Sequence, residues 1–427
     1  MNKENIFSMI SKMSEEELMG LACNTSDVET LNILAENENY KVRCTVALNE
    51  NTSVDILAML ASDKEGWVRG AVARNENTPV EALALLAKDE NGNVREAVAE
   101  HNNTSVETLT ILASDKEWWV RYAVARNENT PVEALVMLAK DKDRDVRRAV
   151  AKNKNTPIET LAVLAQDEER WVRVAVAENE NTSADVLAML AKDGEWNVRY
   201  AVARNENTPA DVLAVLAQDE VCSVRKAVVE SRHTSAKVLA VLAQDKHWWV
   251  RQTVALNENT SVDILDMLAK DVHDGVRSAV ARNKNTPIEF LTVLAQDEDY
   301  RVRCAVAENE NTSIDVITML AQDENWRVRY AVALNENTSV DILAVLANDD
   351  VYDVRTAVAA NGNTSVDVLA MLAKDEDSLV RCAVANNRNT SADVLAVLTK
   401  DKNVLVSKTA EDALKERKEK SKTSMER

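Results

Sequence analysis

Residues 78–103 read TPVEALALLAKDENGNVREAVAEHNN. Val80, Leu83, Leu86 and Ala87 fall at helical spacing and form one apolar stripe. Ahead of them, Thr78-Pro79-Val80-Glu81 reads as a helix start. Thr is the expected N-cap, Pro takes the first helical position and Glu closes a capping box. Beyond Lys88-Asp89-Glu90-Asn91, the spacing of Val94, Ala97 and Val98 predicts a second, shorter helix capped by Asn91. In most copies the phrase NEN then ends that helix, since Asn tolerates the left-handed conformation of a helix terminus.

The stretch is one copy of many. Asn-Thr occurs at 24, 51 and 77 and returns at steps of 26, with His-Thr at 233, as far as 389. Val-Arg keeps the same period from Arg43 through Arg381, and a last copy has decayed to Val406-Ser407. Neither helix of a unit is long enough to be stable alone. Stacking on neighbours must supply the core, so the expected fold is all-α, an α-solenoid of about fifteen 26-residue, two-helix repeats. Residues 1–23 should form a helical cap, residues 24–406 the repeats, and residues 407–427 a polar end that frays into disorder. Ile6, Phe7, Met9, Ile10 and Met13 should cover the first unit, with a second helix start at Ser14 and Glu17.

The phrase NxNTPxxxLxxLAxDxxxxVRxAVAxN resembles the bacterial variant leucine-rich repeat, and its D-x-x-x-x-V-R segment is similar to the inner turn of HEAT repeats. The resemblance covers about residues 24–406. It implies a right-handed superhelix whose second helix in each repeat is short and of 3₁₀ or α type, and a binding scaffold rather than an enzyme. Some relatives carry an N-terminal Cys cluster for an iron–sulfur centre. This chain has no such cluster, so no cofactor is carried over.

Composition narrows the function. The chain has a net charge of −20, with 46% hydrophobic residues but only two Phe and 4% aromatics. That charge repels phosphate backbones and anionic membranes and favours a basic protein or peptide partner. Cys23, Cys44, Cys222, Cys304 and Cys382 form no CxxC pair, which signals neither zinc nor a disulfide framework. No apolar run approaches the roughly 20 residues of a membrane span. The N-terminus lacks the apolar core of a signal peptide. The expectation is a cytoplasmic monomer with no metal and no cofactor. Four His and seven Gly offer no nucleophile–base pair or phosphate loop, so no catalytic residue is assigned.

Three features stand out. Asp63 precedes Arg69 by six residues, and the spacing recurs at Asp115–Arg121 and Asp323–Arg329. These read as an internal salt-bridge ladder, each Arg bridging its own Asp and the neighbouring unit's. The second feature is the aromatic set: Trp67, Trp118, Trp119, Tyr122, Trp171, Trp196, Tyr200, Trp248, Trp249, Tyr300, Trp326, Tyr330 and Tyr352. They occupy positions that vary freely between near-identical units, and exposed Trp and Tyr there are expected partner anchors. Trp118 and Tyr122 should be i, i+4 neighbours, as should Trp196 with Tyr200 and Trp326 with Tyr330. Tyr300, Trp326, Tyr330 and Tyr352 should make the strongest strip, on an acidic face of the superhelix; packing across the bend is the competing role. Third, VESRHTSAK at 229–237 departs from the repeat, with His247 and His273 in the next two units and Cys222 before it. It reads as a local bend rather than a metal site. The rival to a protein-binding scaffold is a nucleic-acid-related HEAT-like protein, either DNA-repair-glycosylase-like or a DNA mimic, which the charge opposes.

Overall fold

The computed structural model describes residues 3–425, with side chains described for 6–417. Those residues form 32 α-helices and no strand. Contacts divide the chain into two compact units, Met1–Leu216 with Ser231–His233, and Ala217–Glu230 with Thr234–Arg427. The division falls at the VESRHTSAK stretch. Within each unit the same helix pair repeats. The first helix runs seven residues, as in Val80–Leu86, and the second nine, as in Gly92–Glu100. The second helix is thus α-helical and the longer of the two, where a shorter helix of 3₁₀ or α type was expected. Val94, Ala97 and Val98 are all buried, and that i, i+3, i+4 burial is the 3.6-residue period.

Two local readings are corrected. Thr78 is not the N-cap; its hydroxyl donates to the Val72 carbonyl at 2.5 Å, closing the end of the preceding helix. Pro79 holds the N-cap position (φ −70°, ψ 152°), and its carbonyl accepts from Ala82 and Leu83. Where a unit has Ser in place of Pro, as at Ser105, the side chain caps directly by accepting from the Thr108 N–H. Nor does Asn adopt a left-handed conformation: no described residue has positive φ, and Asn75 sits extended at φ −78° and ψ 124°. Its side-chain amide reaches back one repeat and donates to the Ala47 and Asn49 carbonyls at 2.7 and 2.9 Å. Its Oδ1 accepts from the Asn77 N–H.

These asparagines form a ladder. Asn153 donates to Ala125 and Asn127, and Asn179 to Ala151 and Asn153. In the second unit Asn335 donates to Ala307 and Asn309, and Asn361 to Ala333 and Asn335. At position 101 a histidine fills the role. Its Nε2 lies 2.9 Å from the Asn75 carbonyl, and its Nδ1 accepts from the Asn103 N–H. Asn and a neutral imidazole both offer one donor edge and one acceptor edge.

The Arg–Asp ladder runs beside it with a geometry of its own. Each Arg grips the next unit's carboxylate with two nitrogens and touches its own Asp only through the backbone. Arg147 donates to Asp167 at 2.6 and 2.9 Å and to the Asp141 carbonyl at 2.9 Å. Arg69 likewise holds Asp89, Arg121 holds Asp141 and Arg329 holds Asp349. Asp63, Asp115 and Asp323 receive Arg43, Arg95 and Arg303 of the preceding units. The own-unit carboxylate is unavailable because it faces backward and also accepts the N–H two residues on, as Asp115 does from Glu117. Burial pushes the Asp115 carboxyl up, but the bonds from Arg95 and the Glu117 N–H, with the Arg95 charge, outweigh it and hold it below the usual range.

The ends are closed by helices. Lys3–Ile10 buries Ile6 and Ile10, whereas Phe7 points outward at 58% exposure. Ser14 and Glu17 form the reciprocal capping box of Glu15–Asn24. At the other end Val404–Met425 is one helix; residues 426–427 lie outside the described residues. Arg417 on this helix donates to the Asn387 and Arg388 carbonyls at 3.2 and 3.1 Å and to that of Thr390. An arginine thus does for the last unit what the next asparagine does elsewhere.

Two outcomes follow from the ladders. Asn153→Ala should leave the Ala125 carbonyl buried without its side-chain donor and the Asn127 carbonyl with only the Thr130 N–H, a loss of about 2–3 kcal/mol. Hydrogen exchange should show it as faster opening around residues 125–155, because repeat stability is local; unchanged protection there would show that the ladder contributes nothing. For rungs such as Asp63, Asp89, Asp115, Asp141, Asp193 and Asp245, the folded carboxyl lies below the unfolded value of about 3.9. Their contribution is complete above that value and is lost as pH falls through the lower folded range. Helicity by circular dichroism should therefore hold down to about pH 4 and collapse below it; loss near pH 6 would contradict the assignment.

Candidate functional site

All eight Trp and six Tyr of the chain lie at the first, second or fifth position of a second helix. Those positions face away from the core, since the third, sixth, seventh and eighth carry the buried Val and Ala. Glu117 precedes the helix Trp118–Arg126 at its N-cap, which places Trp118 first and Tyr122 fifth. The two rings meet edge to face, with centroids 6.3 Å apart. Trp196–Tyr200 and Trp326–Tyr330 repeat this at 6.3 and 6.4 Å. Arg126 lies 5.6 Å from the Tyr122 centroid, and Arg204 lies 5.7 Å from that of Tyr200. The pairs are preformed by helical spacing, so presenting them to a partner costs little side-chain entropy.

Second-position rings differ from one another. Trp119 leans onto the preceding unit, close to Gly92, where a methyl group would lie 3.4 Å from the indole. Its Nε1 is buried and has no partner among the described residues. Trp67 is 73% exposed. Trp171 carries Arg170 over its face at 5.0 Å, and Trp249 carries the preceding unit's Lys226 at 4.9 Å. The aromatic set therefore combines outward rings with rings that pack between units.

In the second unit Trp248 stacks on His273 at 4.1 Å, nearly parallel, with His247 at 6.1 Å on its own helix start. Both histidines cap helices through Nδ1, accepting from Trp249 and Gly275. Among the described residues no cluster of three His, Cys, Asp or Glu is placed to hold a metal ion. Further along, Arg327 lies 4.6 Å from the Trp326 ring and 5.8 Å from that of Tyr300. It links two members of the expected strip, and Tyr352 stands exposed on the following helix. Nothing in the aromatic pattern itself signals Arg327.

The charge does not follow the rings. In the first unit the first helices, from Val28–Ala35 to Ala210–Leu216, each carry one Asp or Glu and no Lys or Arg. On the second helices from Tyr40–Leu48 to Trp196–Arg204, the outward positions carry Lys41, Arg74, Arg126, Arg144, Arg148, Lys152, Arg170 and Arg204. Only Glu96, Glu100, Asp145 and Glu178 oppose them. In the first unit the aromatic second helices and the acidic first helices thus present different charge, and the second helices' exposed positions were a signal that net charge conceals. Around Trp118, Trp119 and Tyr122 lies a groove of about 470 Å³ that includes Glu96, Arg126, Arg148 and Lys152.

The described thiols are unsuited to nucleophilic chemistry at neutral pH where they are perturbed. Burial, with Glu308 and Asp323 nearby, pushes Cys304 up to about 11, and burial also raises Cys44.

The repeat now has a counterpart. The family described as "Leucine rich repeat variant" matches residues 66–91, 118–143, 144–169, 196–221 and 274–299. The chain is similar to that family, and its described residues form an α-helical repeat. No curated protein matches it. Among solved structures, "a leucine-rich repeat variant with a novel repetitive protein structural motif" is 27% identical. That match covers 55% of this chain and 87% of the other, with a TM-score of 0.40. Kap121p bound to Nup53p is 13% identical over 94% of this chain and 53% of its own, with a TM-score of 0.44. Importin beta is 12% identical over 96% and 64%, with a TM-score of 0.31. The chain thus spans roughly half to two-thirds of the length of these larger proteins. No described helix is long and apolar enough to cross a membrane.

The two Trp layers should separate under mutation. Trp118→Ala, removing an exposed ring, should change stability by less than about 0.5 kcal/mol. Trp119→Ala, removing a ring packed on the preceding unit, should cost on the order of 2 kcal/mol. Thermal melts of the two variants report the difference, and equal losses would mark both rings as packing.

Proposed function

We propose that the chain is a non-enzymatic scaffold that binds protein or peptide segments through the aromatic face of its second helices. One observation carries this reading. Every Trp and Tyr sits at an outward position of a second helix, and none lies in the core or on a first helix. Rings recruited for packing would also be spread through the core, where Leu, Val and Ala do that work instead. Rigid amphipathic rings at variable positions of a constant framework are what recognition surfaces use. The cytoplasmic, monomeric state expected from composition accords with a free-standing scaffold.

A double replacement tests the reading. Trp326→Ala with Tyr352→Ala should abolish capture of the proteins that the immobilised wild-type chain retains from its source cell, while the melting curve stays nearly unchanged. Capture unaffected by the double variant, or a variant that unfolds, would assign those rings to packing.

A further inference from the structure

We infer that the groove between the second helices of the first unit takes an acidic peptide segment bearing apolar or aromatic side chains, with Arg148 reading its carboxylates. The inference rests on the scaffold reading above and reverses the partner charge that the −20 total favours.

Arg148 stands at the middle of the helix Arg144–Lys152, exposed. It lines the 470 Å³ groove with Trp118, Trp119 and Tyr122, and also an adjoining recess of about 130 Å³ that reaches Trp171. The neighbouring cations are engaged. Arg144 lies 3.8 Å from Glu169, Lys152 3.7 Å from Glu178, and Arg170 3.6 Å from Glu195, while Arg147 holds Asp167. Arg126 lies against Tyr122. Arg148 makes no ion pair of this kind among the described residues, so one guanidinium is left over between two aromatic surfaces. A guanidinium offers paired donors matched to a carboxylate, and the flanking indoles offer faces for an apolar side chain.

Glu96 and Asp145 also line the groove. Burial, then the nearby Glu100, raises the Glu96 carboxyl. The protein's overall charge acts weakly inside the groove, because beyond about 8–10 Å surface charges are screened at physiological salt. A long polyanion would meet the acidic first helices as well, so a short acidic peptide suits the groove better than a nucleic acid does.

The test titrates the full chain with random poly(Glu,Tyr), random poly(Lys,Tyr) and oligouridylate, following tryptophan fluorescence. Wild type is compared with Arg148→Ala, Arg148→Glu and Trp118→Ala, each checked by thermal melting. Poly(Glu,Tyr) should bind wild type, weaken about tenfold or more in Arg148→Ala, be lost in Arg148→Glu and weaken in Trp118→Ala. Poly(Lys,Tyr) bound more tightly, with the same Trp118 dependence, would overturn the acidic partner and leave the scaffold standing. Tighter, Arg148-dependent binding of oligouridylate would overturn it in favour of nucleic acid. Binding indifferent to both Arg148 and Trp118, or no binding of either copolymer, would remove the groove as a recognition site.

Discussion

Most second helices end in an extended asparagine, as at Asn75, Asn127 and Asn153, and the carbonyls around that end are buried against the next repeat. The next repeat's asparagine amide is what reaches them, as Asn153 reaches Ala125 and Asn127. Buried backbone carbonyls need a donor; the Asn127 carbonyl also accepts from the Thr130 N–H, whereas the Ala125 carbonyl takes its donor from Asn153. The contact accompanies the repeat length: along the regular copies the amide reaches carbonyls 26 and 28 residues back, as Asn153 does. It also explains His101, which reproduces the donor and acceptor edges, and Arg417, which supplies donors where no further repeat follows.

A second ladder works at the opposite end of the second helix. Arg147 holds the next repeat's Asp167 and its own loop carbonyls, so one guanidinium ties a loop, a helix start and a neighbour. Removing one partner of such a buried pair is far costlier than the pair's net contribution. Between the two ladders the backbone has little freedom, and outward positions such as that of Trp118 take no part in either ladder, whereas Trp119 packs on the preceding repeat. Trp118, Asp145, Arg148 and Trp171 can therefore change from copy to copy without disturbing the framework. The proposed recognition surface uses those positions because the ladders and the apolar core occupy the rest of the second helix.

Much of this was legible in the residues. The 26-residue spacing, the apolar i, i+3, i+4 pattern and the Trp118–Tyr122 pairing each report local periodicity, and the structure contains all three. The readings that failed needed a partner from another repeat. Thr78 resembles a cap until its hydroxyl is seen on Val72. Asn75 resembles a helix terminator until its amide is seen on Ala47 and Asn49. Asp63 resembles the partner of Arg69 until its carboxylate is seen facing Arg43. In each case the residue was read as polar and terminal, and the partner that decides its role lies in another repeat.

By itself the sequence determined that the protein is an array of helix pairs, because a 3.6-residue apolar period repeated every 26 residues leaves no other way to bury those faces. It also marked the aromatic positions as variable. Only the tertiary structure decided which face each charge occupies. Net charge is a sum over the chain, whereas a partner meets the few side chains that one helix face presents, and there Arg126, Arg148 and Lys152 surround the rings of an otherwise acidic protein.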